Sequence, residues 1–296
     1  MKSIGDAAAR TQLESRHRDF FERGFKIALV FSLLFGIAAL VTLIVQVLVE
    51  GMPRLNSQLL TNFPSGVPEN AGAQSAIMGT IWVIGVTAAF TIPVGIGAAV
   101  YLEEYADKER RWNRFIELNL QNLAAVPAIV YGILGLAFLV RGFFGLGQTV
   151  LAAGLTLGLL VLPIVIISTR EAIKSVPDTI RQGAYALGAT RWQTVRRQVL
   201  PAAIPGIATG TILALSRAIG EAAPLVLIGG LTFITFNPEG LDSAFTVLPI
   251  QIFNWVSRPQ EEFKVLAAAA IVVLLVILLV MNALAIFLRN KYQRKY

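Results

Sequence analysis

Cysteine is absent from the 296 residues, and histidine occurs once, at His17. Without thiols there is no disulfide scaffold, CxxC redox pair or cysteine-ligated zinc, and a lone histidine excludes HExxH metalloproteases and any histidine-based triad or relay. The motif GxxxxGK followed by Ser or Thr does not occur either, so the chain has no P-loop with which to hold nucleotide phosphates. Charge is scarce as well. Asp, Glu, Lys and Arg make up 15% of the residues, against about 25% in soluble domains, while apolar and aromatic residues reach 55%. A mean hydropathy of +0.68 excludes disorder, because so apolar a chain buries more surface than its ordering entropy costs.

What is present is apolar sequence in long blocks. Six runs stand out: Ile27 to Val49, Ala76 to Leu102, Leu118 to Val140, one within Gly142 to Thr169 that starts near Thr149, one from about Ile204 to Ile228, and Val265 to Leu288. A helix satisfies its own backbone groups, and about 20 apolar residues cross a hydrocarbon slab of roughly 30 Å. The fold class expected is therefore all-α, a polytopic transmembrane bundle of six helices. The first run exceeds a signal-peptide core and is followed by no A-x-A site, so it is read as a retained helix.

Twenty of the 25 lysines and arginines fall in the N-terminal arm, the segment around Lys108 to Arg114, the segment from Arg170 to Arg197, and the C-terminal tail. Cytoplasmic segments are enriched in these residues, so both termini are expected in the cytoplasm. The net charge of +7 is dispersed over segments flanking the spans, with no aromatic interleaving, which argues for a lipid bilayer and no nucleic acid as the partner. Three divisions follow: residues 1–75 with an arm, the first helix and an external loop; residues 76–288 as the transmembrane core, with a cytoplasmic loop at 170–203; and a tail at 289–296.

Gly51 to Ser75 is rich in Pro, Gly, Asn and Ser and reads as an irregular external loop. In a second external loop, Leu248 to Val256 places Ile250, Phe253 and Trp255 among polar neighbours, as an amphipathic helix lying in the membrane interface would. Pro93, Pro127 and Pro163 interrupt helical runs close to Gly95, Gly97, Gly132 and Gly135, a pattern of closely packed membrane helices.

Two features point to function. The first is charge inside a span: Arg217 lies 13 residues beyond Ile204, roughly 20 Å along a helix, and Glu221 follows at i+4 on the same face. Ionised groups at such depth are costly and mark a pathway more often than a packing role, and a guanidinium offers paired donors to a tetrahedral oxyanion. Arg170, at the inner end of the fourth run, is a weaker candidate for the same path, because a positive-inside anchor also accounts for it. No cluster suited to a metal is evident.

The second feature is the loop Thr169 to Gly206. A short helix is expected from Pro177 to Leu187, closed by Gly188, with another beginning around Thr190 and carrying Trp192 in its first turn. Ile180, Ala184 and Leu187 form a narrow face able to dock in a partner's groove.

This loop resembles the conserved cytoplasmic loop of binding-protein-dependent ABC importer permeases, whose pattern is EAA, three residues, G, nine residues, an apolar residue, one more, then LP. The matching positions are Gln182-Gly183-Ala184, Gly188, Gln198 in the apolar slot, and Leu200-Pro201. Gln182, Gly183 and Gln198 depart from the pattern while the spacing holds. LSRAIGEAAPLVLIGG from Leu215, AAVPAIVYGILGL from Ala124 and STREAI from Ser168 are similar to segments of phosphate-transport permeases within that family. The resemblance implies a type I importer permease that moves phosphate across a bacterial inner membrane by alternating access. It also implies a second homologous permease, two ATP-binding subunits and an external phosphate-binding protein as partners. ATP and Mg would be held on the partner ATPases, so this chain would not itself be an enzyme. The loop residues implied in ATPase coupling are Gln182, Gly183, Ala184, Leu187, Gly188, Ala189, Trp192, Leu200 and Pro201. Transport of sulfate or molybdate stays open at this point, and an intramembrane enzyme or a self-sufficient channel are more distant alternatives.

Overall fold

The computed structural model describes residues 2–107, 109–230 and 233–292, and the side chains of those residues other than 2–21, 23, 288 and 292. The side chain of His17, together with Lys108, Arg294 and Lys295 among the basic residues counted for topology, lies outside the described residues. Every regular element among the described residues is helical. The helices are α1 (Lys2–Gly51), α2 (Ser57–Thr61), α3 (Gln74–Val100), α4 (Arg111–Ala124), α5 (Ala128–Leu134), α6 (Val150–Lys174), α7 (Asp178–Ala186), α8 (Arg191–Thr194), α9 (Leu200–Gly220), α10 (Ala223–Leu227), α11 (Leu248–Val256) and α12 (Glu261–Tyr292). Three π-helical segments extend or join them, at Tyr101–Tyr105, Gly135–Val140 and Val195–Val199.

Five stretches are long and apolar enough to cross a membrane: Gly24–Arg54, Gln74–Tyr105, Val150–Lys174, Arg191–Gly220 and Glu261–Lys291. A sixth is present if Arg111–Ala124 and Ala128–Val140, bent by 107°, count as one span. The chain divides at Glu50 into two units, of which the first is the long helix α1. The second unit has three apolar clusters, which stack along α3 and α6, around α11 and α12, and at the end of the bundle that carries α7 and α8.

The third apolar run is not the straight span expected from Leu118 to Val140. Val126 precedes a proline, a position biased away from helical backbone, and Pro127 sits at φ −56°, ψ 137° as the N-cap of α5. Upstream of that break α4 is amphipathic: Ile116 and Leu120 rest on the bundle while Trp112, Phe115 and Leu118 are exposed. Beyond the break, Ala128–Val140 is 13 residues, roughly 20 Å of helix and short of a 30 Å core. The fourth run starts where expected, with Thr149 capping α6 through its side chain to the Ala152 N–H.

The helix expected over Leu248 to Val256 forms as α11, but two of its three large apolar side chains turn into the protein. Ile250 and Trp255 are fully buried, and of the three only Phe253 is exposed. The reason is tertiary: Trp255 joins Leu59, Ala71, Phe263 and Leu266 in one cluster, so the segment after Gly51 and the start of α12 together cover it. Residues 51–75 accordingly form short turns and the helix α2 with a buried Leu59, more ordered than an irregular loop.

Close backbone approach explains one glycine directly. A Cβ on Gly132 would stand 2.6 Å from the Pro224 Cα, so α5 and α10 touch main chain to main chain. Gly132→Val is expected to cost about 1–3 kcal/mol through overpacking and to lower the amount of folded protein in the membrane; unchanged abundance and thermal stability in detergent would contradict this contact.

Candidate functional site

The fifth apolar run breaks where a continuous helix was expected. α9 begins at Leu200, directly after the π-helical Val195–Val199, and ends at Gly220. Glu221 is extended at ψ 110°, and α10 starts afresh at Ala223 with Pro224 in its first turn. Pro224 supplies the physical reason, because it has no N–H for the helix and crowds the preceding turn. Arg217 therefore lies in the last turn of α9, not in mid-helix, and Glu221 caps that helix instead of sharing its face.

The two charges still meet. Arg217 Nε lies 3.4 Å from Glu221 Oε1, with the arginine side chain 48% exposed and the glutamate 23%. From Leu200 to Arg217 is about 26 Å of helix, so the pair sits at the end of α9 remote from Arg196 and Arg197. Non-helical backbone within an apolar run is tolerated only inside protein or along a water-lined cavity. The carbonyl end of α9 favours the cation, as does Glu221, so an anion reaching Arg217 meets a charge already partly balanced. A neighbouring helix holds this turn: Ser216 donates to Asn282 Oδ1 on α12 at 2.8 Å. Tyr131 on α5 donates to the Leu123 carbonyl at 2.9 Å.

Arg170 is elsewhere. It belongs to a mostly buried ion cluster at the opposite end of the bundle, with Glu117 Oε1 at 2.9 Å and Glu103 Oε2 at 3.4 Å, while the adjacent Glu171 is exposed.

At that same end, the loop between α6 and α9 folds much as its sequence indicates. α7 runs from Asp178 to Ala186, with Pro177 as its N-cap one position before the first turn. Gly188 takes φ +80°, a left-handed conformation that costs L-residues with a Cβ. Thr190 opens α8 with a capping box: its hydroxyl accepts from the Gln193 N–H, and the Gln193 side chain accepts from the Thr190 N–H.

The exposed face differs from the one expected. Ile180 turns inward against the bundle, whereas Tyr185, Leu187 and Trp192 are exposed, Leu187 at 90%. Gln182 and Gly183 are exposed beside them, and Ala184 and Ala189 half-buried. Ala184, Leu187, Gly188, Ala189, Gln193 and Gln198 line a groove of about 280 Å³. Gln198 thus faces solvent, where a polar residue in an otherwise apolar slot costs nothing. Leu200 packs on the bundle and Pro201 sits in the first turn of α9, so these two join the loop to the helix bundle.

Comparison with known proteins decides what this arrangement is. Residues 91–294 match the model of the binding-protein-dependent transport system inner membrane component. The chain belongs to this family of ABC importer permeases. A phosphate transport system permease protein, PstA of Yersinia pestis, is 33% identical to this permease, covering 95% of this chain and 97% of that protein. A probable ABC transporter permease of Bacillus subtilis, YqgI, is 34% identical over 77% of this chain and 76% of its own length. The fold of the permease is also that of a chain of the MetNI methionine ABC transporter in an inward-facing conformation, with a TM-score of 0.60 at 16% identity over 74% of this chain and 95% of that one. As an ABC importer permease with several apolar helices, the chain is a multi-pass membrane protein.

Proposed function

We propose that this permease carries inorganic phosphate across a bacterial inner membrane by alternating access, driven by ATP hydrolysed on partner subunits. Arg217 carries the reading: a half-exposed guanidinium at the broken end of α9, partly neutralised by Glu221, is suited to pass a tetrahedral oxyanion without trapping it. The similarity to the Yersinia pestis phosphate permease over nearly the whole of both chains supports phosphate as that anion. The membership of a binding-protein-dependent family supports an external binding protein as the donor.

In this reading the partners are a second homologous permease, two ATP-binding subunits that hold ATP and Mg, and a phosphate-binding protein on the outer face. Both termini lie in the cytoplasm. The groove around Leu187 receives the ATPase surface, and α7 and α8 convey its closure to α6 and α9, to which they are joined.

Reconstitution of the purified complex into vesicles tests this. Labelled phosphate uptake is expected to require ATP and loaded binding protein, and to fall with unlabelled phosphate but not with about a tenfold excess of sulfate. Equal competition by sulfate or molybdate would assign the permease to another oxyanion. Uptake without any ATPase would make it a channel.

A further inference from the structure

Between Tyr101 and Tyr105 the end of α3 winds as a π helix, closed by the Ala106 N–H to Tyr101 carbonyl bond of 2.8 Å. π turns of this kind concentrate at functional positions, because they cost regular hydrogen-bond geometry. This one sends three consecutive side chains to three different helices. Glu103 reaches Arg170 on α6 at 3.4 Å. Glu104, 6% exposed, accepts from Arg181 on α7 through Nε at 3.2 Å and Nη2 at 2.8 Å. Arg191 on α8 lies over the Tyr105 ring, 5.1 Å from its centroid.

Arg181 is bound on all sides. Its remaining donors go to the carbonyls of Ile173 and Val176, at the end of α6, and to Asp178, so one guanidinium joins α3, α6 and α7. A buried ion pair is a poor source of stability compared with apolar side chains of the same size, but it fixes one geometry, since a slip leaves a buried charge unmet. The covalent chain links α7 and α8 to α6 and α9 alone. No peptide bond joins them to α3.

We infer that Tyr101–Tyr105 is a transmission joint, through which displacement of α7 and α8 by an ATPase is passed to the second membrane span. This rests on the transport reading above and adds to it the route by which α3 moves. Glu104 and Arg181 are positioning residues here; neither meets the transported anion.

The experiment uses the complete complex in vesicles, with inorganic phosphate as substrate, and measures uptake and ATP hydrolysis in the same sample. Glu104→Gln and Arg181→Gln are each expected to lower phosphate moved per ATP by about tenfold while the ATPase still copurifies, and the double variant to lose no more than the worse single one, as members of one unit do. Additive losses, or a ratio within about twofold of the unsubstituted complex, would overturn the joint. Because an unpaired buried charge can prevent folding, Tyr105→Leu serves as the second variant: it leaves the ion pair intact and is expected to lower the ratio by about threefold, and an unchanged ratio counts equally against the joint. Failure of the transport reading is distinguishable, since it shows in the unsubstituted complex as ATP hydrolysis that loaded binding protein does not stimulate.

Discussion

Replacing Arg217 by leucine is expected to lower phosphate uptake by about a hundredfold or more, while the permease reaches the membrane in normal amount. The size follows from the loss of a charge-assisted, paired-donor contact to the anion that leucine has no means to replace. Abundance is spared because the side chain is 48% exposed and its one carboxylate partner among the described residues, Glu221, is reached only at 3.4 Å, so little folding energy is stored in the pair. Arg217→Lys keeps the charge but loses the fork, and intermediate uptake is expected of it. Labelled phosphate uptake in whole cells, set against immunodetection in membranes, measures both. Uptake by the leucine variant within about threefold of normal would mean that the anion does not pass this guanidinium.

Leu187→Asp is expected to separate the permease from its ATPase. With 90% of Leu187 exposed, the substitution removes no contact inside the chain, and Gly188 continues to close α7, so the fold is unaffected. A carboxylate in the centre of a desolvated docking face costs about 2 kcal/mol or more, some thirtyfold in affinity. Recovery of ATPase on the tagged permease should fall accordingly, with membrane abundance unchanged. Full recovery would move the docking face away from this turn.

Features governed by local chemistry were legible in the sequence. The helix start near Thr149, the closure at Gly188 and the helix beginning around Thr190 are decided by residues within one turn of each other, and the structure has all three. The apolar runs located the spans because composition over 20 residues is a strong signal. Four features were misjudged or missed, each for a tertiary or competing reason. Pro127 read as an interruption tolerated within a span, yet the polar Asn119, Gln121 and Asn122 before it let α4 leave the bundle direction. The break after Gly220 was hidden by the unbroken apolar composition on both sides, so Arg217 and Glu221 were rightly paired on the wrong geometry. Trp255 was placed at an interface because its cover, from Leu59 and Phe263, arrives from distant sequence. Glu103, Glu104 and Tyr105 carried no message at all, since a π turn has no local sequence signature and their partners lie some 67 to 86 residues further on.

The sharp bend at Pro127 has an electrical consequence. With 107° between them, α4 and Ala128–Val140 share no axis, so α4 does not extend the peptide dipole of that segment, and the unpaired amides at the start of α5 form a partly positive end of their own.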